Sequence, residues 1–177
     1  MTADDPSPVA APAPATYRID PARSSVGYSG KHMFGLGTVH ATFTVTDGEL
    51  SVTDPPEGST ARVTIDAASF RSGVAKRDRD VRSAGLLDVE HFPTITFRSD
   101  GLRQEAGAWR LGGQVVAHGT ASPVEVVVDR VEQEADGLHL HGRAEHVDRH
   151  AFGVTGSRGL VGRYLDLDLD VRAVRVG

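Results

Sequence analysis

The chain has 177 residues, no cysteine and a formal net charge of −5, which fits one domain with a continuous core and excludes disulfides and thiolate metal sites. The acidic balance argues against a nucleic-acid partner, whose phosphates require clustered basic surface. Twenty glycines, recurrent Val and Thr and only 6% aromatic residues favour an all-β domain with many turns over a helical bundle.

Residues 1–15 form a Pro/Ala/Ser/Asp tail that is expected to be disordered, leaving 16–177 as the folded domain. Asp4 and Asp5 stand where a secretory signal would carry Lys or Arg, and no apolar core follows them. No apolar run approaches the roughly 18 residues of a spanning helix. The expectation is a cytoplasmic protein with no transmembrane segment.

Order is expected to begin at Tyr17, with a turn over Pro21–Ser24 and a strand from Ser25. Lys31–Gly37 then places Met33, Phe34 and Leu36 on a glycine-bearing link, where they belong inside a cavity or over its mouth because exposing them is costly. Thr38–Val45 alternates, with Val39, Ala41, Phe43 and Val45 on one face. Asp47-Gly48 reads as a two-residue hairpin turn returning through Glu49–Val52. Ala61–Asp66 is a further strand. The charged run from Lys76 opens a short helix that extends to Arg82, the apolar patch Leu86-Leu87 follows, and Pro93 admits a strand over Thr94–Leu102. Strands are then expected at Trp109–His118, Val124–Val131, Leu138–Val147 and Tyr164–Val176. In the last of these, Leu165, Leu167, Leu169 and Val171 form a buried face opposite a wet row of Asp. Turn-spaced strands without a βαβ rhythm predict an antiparallel sheet of about eight strands, which tends to close because closure removes unpaired edges. A barrel of that size holds side chains or one small apolar ligand.

Catalytic chemistry is weakly represented. His139 and His141 share one strand face, but no third ligand lies near them in sequence, and no metal is assigned. Asp148-Arg149 inside the cluster His146–His150 reads as a turn-locking ion pair. Ser157 lacks the preceding glycine of a nucleophile elbow, since Thr155 stands there. No cofactor motif is present. The arginines of the charged run are either the solvated face of the helix or, turned inward, the partners of an acidic ligand head. Leu86, Leu87, Phe92 and Phe97 are either ordinary core or tunnel wall, and periodicity does not fix which strand face points inward.

Four motifs occur in order: Asp20-Pro21-x-x-Ser24; Arg77-Asp78 with Ser83, then Asp88-x-x-x-Phe92-Pro93-x-Ile95-x-Phe97-x-Ser99; Gly119-x-x-x-Pro123-Val124; and Asp148-Arg149-x-x-Phe152-Gly153. Together they resemble the YceI-like family over about Tyr17 to Val176. The resemblance implies an extended, eight-stranded, antiparallel lipocalin-like β-barrel with one or two short helices. It further implies an apolar tunnel for a polyisoprenoid, isoprenoid quinone or other long-chain lipid. Family members are bacterial binding proteins without a cofactor, linked to stress or quinone handling, often periplasmic or secreted, and sometimes homodimeric. The family commonly has two phenylalanines where this chain has Leu86-Leu87. On this basis the expected tunnel wall or lid is Met33, Phe34, Leu36, Phe43, Phe70, Leu86, Leu87, Phe92, Phe97 and Phe152. Lys31, Arg77, Arg79 and Arg149 are the expected head-group contacts. The competing readings are a filled barrel that binds another protein, and a lipid-modifying hydrolase built on His146–His150.

Overall fold

In the computed structural model, which describes residues 7–32, 35–157 and 161–177, the alternating segments become nine antiparallel strands. They are β1 (Ala15–Ile19), β2 (Ser25–His32), β3 (Gly37–Val52), β4 (Thr60–Arg71), β5 (Thr94–Glu105), β6 (Ala108–Ala117), β7 (Thr120–Gln133), β8 (Gly137–Asp148) and β9 (Val161–Val176). β1 and β2 share one position in the sheet. β2 pairs with one half of β3 and β9, and β1 pairs with the other half of both, from Ala15↔Val52 and Thr16↔Val176. With β3 also paired to β4, the sheet closes as an eight-stranded barrel.

The interruption between β1 and β2 is the first of the four motifs. Asp20 caps the 3-10 turn Pro21–Arg23, accepting from the Ala22 N–H at 3.0 Å and from Arg23 Nε at 2.8 Å. The Ser24 hydroxyl exchanges hydrogen bonds with the backbone of Arg172 on β9, so the kinked chain stays tied to the wall. Alternation does the rest: Val39, Ala41, Phe43 and Val45 are all buried, as β3 requires with one face inside.

Two sequence expectations give way. Asp47-Gly48 is not a hairpin turn, because β3 runs on through it with only a bulge, pairing Asp47↔Thr64 and Gly48↔Val63. Gly48 is there for space: a β-carbon at that position would meet the Ile19 side chain at 2.5 Å and the Arg62 carbonyl at 3.1 Å. Asp47 is held by Arg62 at 3.0 Å. The tail, too, is placed from Ser7 onward; the remainder of the expected disordered segment, 1–6, lies outside the described residues. The Val9 N–H donates to the Gly107 carbonyl at 2.7 Å, and the Val9 carbonyl accepts from Trp109 Nε1 and Gln104 Nε2 at 2.9 and 3.0 Å. The Ala13 carbonyl accepts from the Tyr17 hydroxyl at 2.6 Å. A Pro/Ala segment builds no core and lacks donors for a ladder, but it needs neither to lie as a strap across an end that the barrel has already made.

The opposite end is capped by the only α-helix among the described residues, α1 (Ala75–Arg82). Its anchor is Asp78, 6% exposed, which accepts from the Ser72 hydroxyl at 2.6 Å and the Ser72 N–H at 2.9 Å. Burial alone would raise this carboxyl. The two Ser72 donors together with the charges of Arg82 and Arg77 outweigh it, and Asp78 is held below the usual carboxylate range. No helix among the described residues is long and apolar enough to cross a membrane.

The outer face of β7–β9 carries an Asp/His ladder. His141 bridges Asp129 at 2.7 Å and Asp168 at 2.8 Å, and His139 meets Asp170 at 2.8 Å. The Asp129 carboxylate raises His141 above its ordinary 6.5, more than its partial burial lowers it. A histidine raised in the folded state contributes stability that is complete below 6.5 and is lost as pH rises through its folded value. Urea unfolding is therefore expected to show about 0.5–1 kcal/mol of stability lost above pH 6.5, and His141→Gln is expected to flatten that step.

Candidate ligand-binding site

The barrel interior is apolar and not filled. A cavity of about 130 Å³ lies beneath α1, walled by Phe43, Phe70, Leu86, Leu87, Phe152 and the inward residues of β5–β9, among them Ile95, Val115, Val147 and Leu167. A second cavity of about 80 Å³ lies at the strap end, walled by Pro12, Leu50, Trp109, Leu111, Leu138 and Leu140 among others. The level between them is shaped by two glycines. On β6, Leu111 lines the lower cavity, Val115 the upper, and Gly113 stands between; on β8, Gly142 stands between Leu140 and Val147. The Phe97 ring fills the space left at Gly113, where a β-carbon would fall 2.6 Å from it.

The upper cavity continues into a groove at the barrel mouth. Tyr28, Phe70, Val81, Leu86 and Val161 line both, and the groove adds Lys31, His32, Lys76 and Arg77 against a single acid, Asp80. Lys76 is paired with Asp80 at 2.9 Å, and Lys31 donates to the Thr38 hydroxyl at 3.1 Å. The mouth is thus cationic and the chamber behind it apolar.

A second irregularity lies in the wall. β7 pairs with β8 only from Val127↔Arg143 to Gln133↔Leu138. Beyond that level the two strands separate, each keeping its other neighbour. The 3-10 turn Arg149–Phe152 is wedged there, and Phe152 borders both the chamber and an outer groove between the strands. Arg149 holds this wedge. It is 5% exposed, and its guanidinium donates to the carbonyls of Val154 (2.7 Å), Gly156 (2.9 Å), Val161 (2.9 Å) and Gly162 (2.9 Å).

Five of the expected wall residues, Phe43, Phe70, Leu86, Leu87 and Phe152, are brought together around the upper chamber. Phe97 faces inward at the waist. Phe92 packs instead on His118, 4.7 Å between ring centroids, and on Gly119, where a β-carbon would fall 2.6 Å from the ring. Leu36 is 88% exposed and lines neither cavity. Met33 and Phe34 lie outside the described residues. Of the head-group candidates, Lys31 and Arg77 border the mouth groove, Arg79 is exposed on α1 away from it, and Arg149 borders the upper chamber while donating to backbone carbonyls. Asp148 is not paired with Arg149, as its neighbour in sequence suggested. It caps the His150 N–H and binds Arg163 at 2.8 Å, because Arg149 turns inward while β9 brings Arg163 alongside. His146 stacks on Tyr164 at 3.8 Å between ring centroids. Sequence reading missed Tyr28, Val81, Val115, Val124 and Val154 as lining residues. The alternation of β6 was the available signal for Val115; none marked Tyr28.

A closed, hollow antiparallel barrel of eight strand positions with a helical cap is a lipocalin-like architecture. The YceI-like domain family matches residues 17–173, and the chain belongs to that family. It is 26% identical over 171 residues to Protein YceI of Salmonella arizonae, covering 91% of this chain and 87% of that one. Among solved structures it is similar to BcnA of Burkholderia cenocepacia, with a TM-score of 0.75 and 23% identity over 89% of this chain and 99% of that one. It is also similar to a polyisoprenoid binding domain from Saccharophagus degradans, with a TM-score of 0.65 and 11% identity over 92% of this chain and 99% of that one.

Proposed function

We propose that the protein binds a long-chain amphiphile of the polyisoprenoid, isoprenoid-quinone or similar class, tail in the barrel and head in the mouth groove, and carries or stores it without chemical change. The observation that carries this reading is the apolar chamber opening onto a cationic mouth. The description of the Saccharophagus domain as polyisoprenoid binding is consistent with it. Lys31, Lys76 and Arg77 suit an anionic or strongly polar head, and the tail needs no specific polar contact. Each buried methylene contributes about 0.8 kcal/mol, so a few isoprene units offset the cost of ordering the chain.

The volumes add a condition. The upper cavity, about 130 Å³, is near the size of an engineered cavity of roughly 150 Å³ that accepts a benzene ring. One isoprene-sized group enters without rearrangement, and on this reading a longer tail reaches the lower cavity past Phe97, which lines neither cavity but whose ring lies over Gly113 at the level between them.

Native mass spectrometry and lipid extraction of the purified protein test the proposal directly. The expected result is a co-purifying amphiphile, or uptake of added prenyl chains; absence of both would end the carrier reading. Leu87→Trp is expected to weaken binding at least tenfold by filling the chamber, while overpacking costs the fold only about 1–3 kcal/mol. Unchanged binding in that variant places the tail elsewhere.

A further inference from the structure

Tyr28 stands where the mouth groove meets the chamber, lining both. Its ring is fixed edge-on against Phe70, with 5.5 Å between centroids. That orientation carries the hydroxyl over Gly30, where a β-carbon would lie 2.4 Å from the phenolic oxygen. Any side chain at Gly30 would therefore push the hydroxyl out of its place. Among the described residues the hydroxyl has no hydrogen-bond partner. The nearby cation does not supply one, since Arg149 is a donor and directs its N–H groups at backbone carbonyls.

An oriented donor at the end of an apolar chamber has a defined chemical complement. A hydrocarbon pressed against it leaves the hydroxyl without a partner and shuts out water that could serve instead, whereas an oxygen acceptor satisfies it. The geometry points to Tyr28 as the anchor for a neutral carbonyl oxygen at the junction between the ligand's head and its tail. This inference rests on the amphiphile-binding reading above and sharpens its ligand class. Two sources share that chemistry: the ring carbonyl of a prenylated quinone and the amide or ester carbonyl of a fatty-acyl chain. Burial pushes the Tyr28 phenol up, and the charge of Arg149 pulls it back only in part, so the group stays protonated and able to donate at neutral pH. The positive charge of Arg149 further favours the negative end of a carbonyl dipole at that position.

The test compares binding of dodecanamide, a short-chain prenylated benzoquinone and dodecane to the full chain and to Tyr28→Phe, which keeps the ring and its contacts. Tyr28→Phe is expected to lose about five- to tenfold in affinity for the two carbonyl compounds, the worth of one hydrogen bond, and nothing for dodecane. Gly30→Ala, with the phenol retained but displaced, is expected to show the same selective loss. The carbonyl compound with the larger loss identifies the source. An equal loss for all three compounds, or no loss for any, overturns the anchor while leaving the carrier reading intact. Failure of the unaltered protein to bind any of the three overturns both.

Discussion

Arg149→Met is expected to lower the free energy of unfolding by about 3–5 kcal/mol, the scale for removing one partner of a buried charged network. Four carbonyls of the segment 154–162 converge on this one guanidinium. Without it they are left unsatisfied in a region where Val154 and Phe152 exclude water. Arg149→Lys is the informative control. It keeps the charge but has three donors on a flexible stem in place of a planar fork of five, and it is expected to recover only part of the loss. Urea midpoints at an unchanged m-value measure both effects. A Met variant within 1 kcal/mol of the parent would show that the segment is held by its apolar contacts alone. The variant also separates two roles assigned to this residue: a head-group contact alone would weaken binding and leave the midpoint in place.

The four sequence motifs make physical sense once their partners are known. They were legible as signatures, but their roles depend on residues far away in the chain. Asp20 and Ser24 make the kink that lets two strands share one sheet position, with Arg172 as the distant partner. Asp78 anchors the helical cap through Ser72. Asp148, Arg149, Phe152 and Gly153 form the wedge between β7 and β8, with Gly153 at a positive φ of 75° closing the turn. Three of the motifs therefore build the two irregularities of the barrel and its lid. A reading by charge alone gave Arg149 a place at the ligand's head; the residue does border the upper chamber, but nothing in the sequence shows that four backbone carbonyls will also surround it.

The alternation of β3, β6 and β9 specified the barrel, since a one-residue slip would turn every apolar side chain outward. It did not distinguish packed core from cavity wall. Val26 and Val45 are fully buried in the packed core while Leu165 and Leu167, in the same apolar phase, border the upper cavity. The difference is set by what stands across the barrel, which is a long-range property. Local turn chemistry misled at Asp47-Gly48, where the glycine answers to Ile19 and Arg62 rather than to a hairpin. The tail misled for the converse reason: its composition cannot make a core, yet Trp109 and Gln104 offer its backbone hydrogen bonds from outside.

Phe97→Ala is expected to join the two chambers and to change how affinity depends on tail length. On β5 its side chain faces inward with Ile95, its neighbours across the sheet are Val63 and Val115, and its ring lies over Gly113. In the parent protein, tails that outgrow the upper chamber have to pass this ring, so a series of n-alkyl amides should show a break in its length profile. In the variant each further methylene should continue to contribute about 0.8 kcal/mol, or roughly fourfold in affinity, so four methylenes past the break amount to about 3 kcal/mol and a hundredfold or more. Stability should fall by less than the 3–5 kcal/mol of a fully packed Phe→Ala site, about 2–3 kcal/mol, because Phe97 is only half-buried. Gly113→Ala supplies the opposite perturbation. Its new methyl group would meet the Arg98 carbonyl at 2.5 Å and the Phe97 ring at 2.6 Å, and since the carbonyl cannot yield, the ring is driven further across the waist. That variant is expected to sharpen the break and shift it to shorter tails. Parallel length profiles for all three proteins would mean that the tail leaves the barrel before the waist, and that the lower cavity belongs to the strap rather than to the ligand.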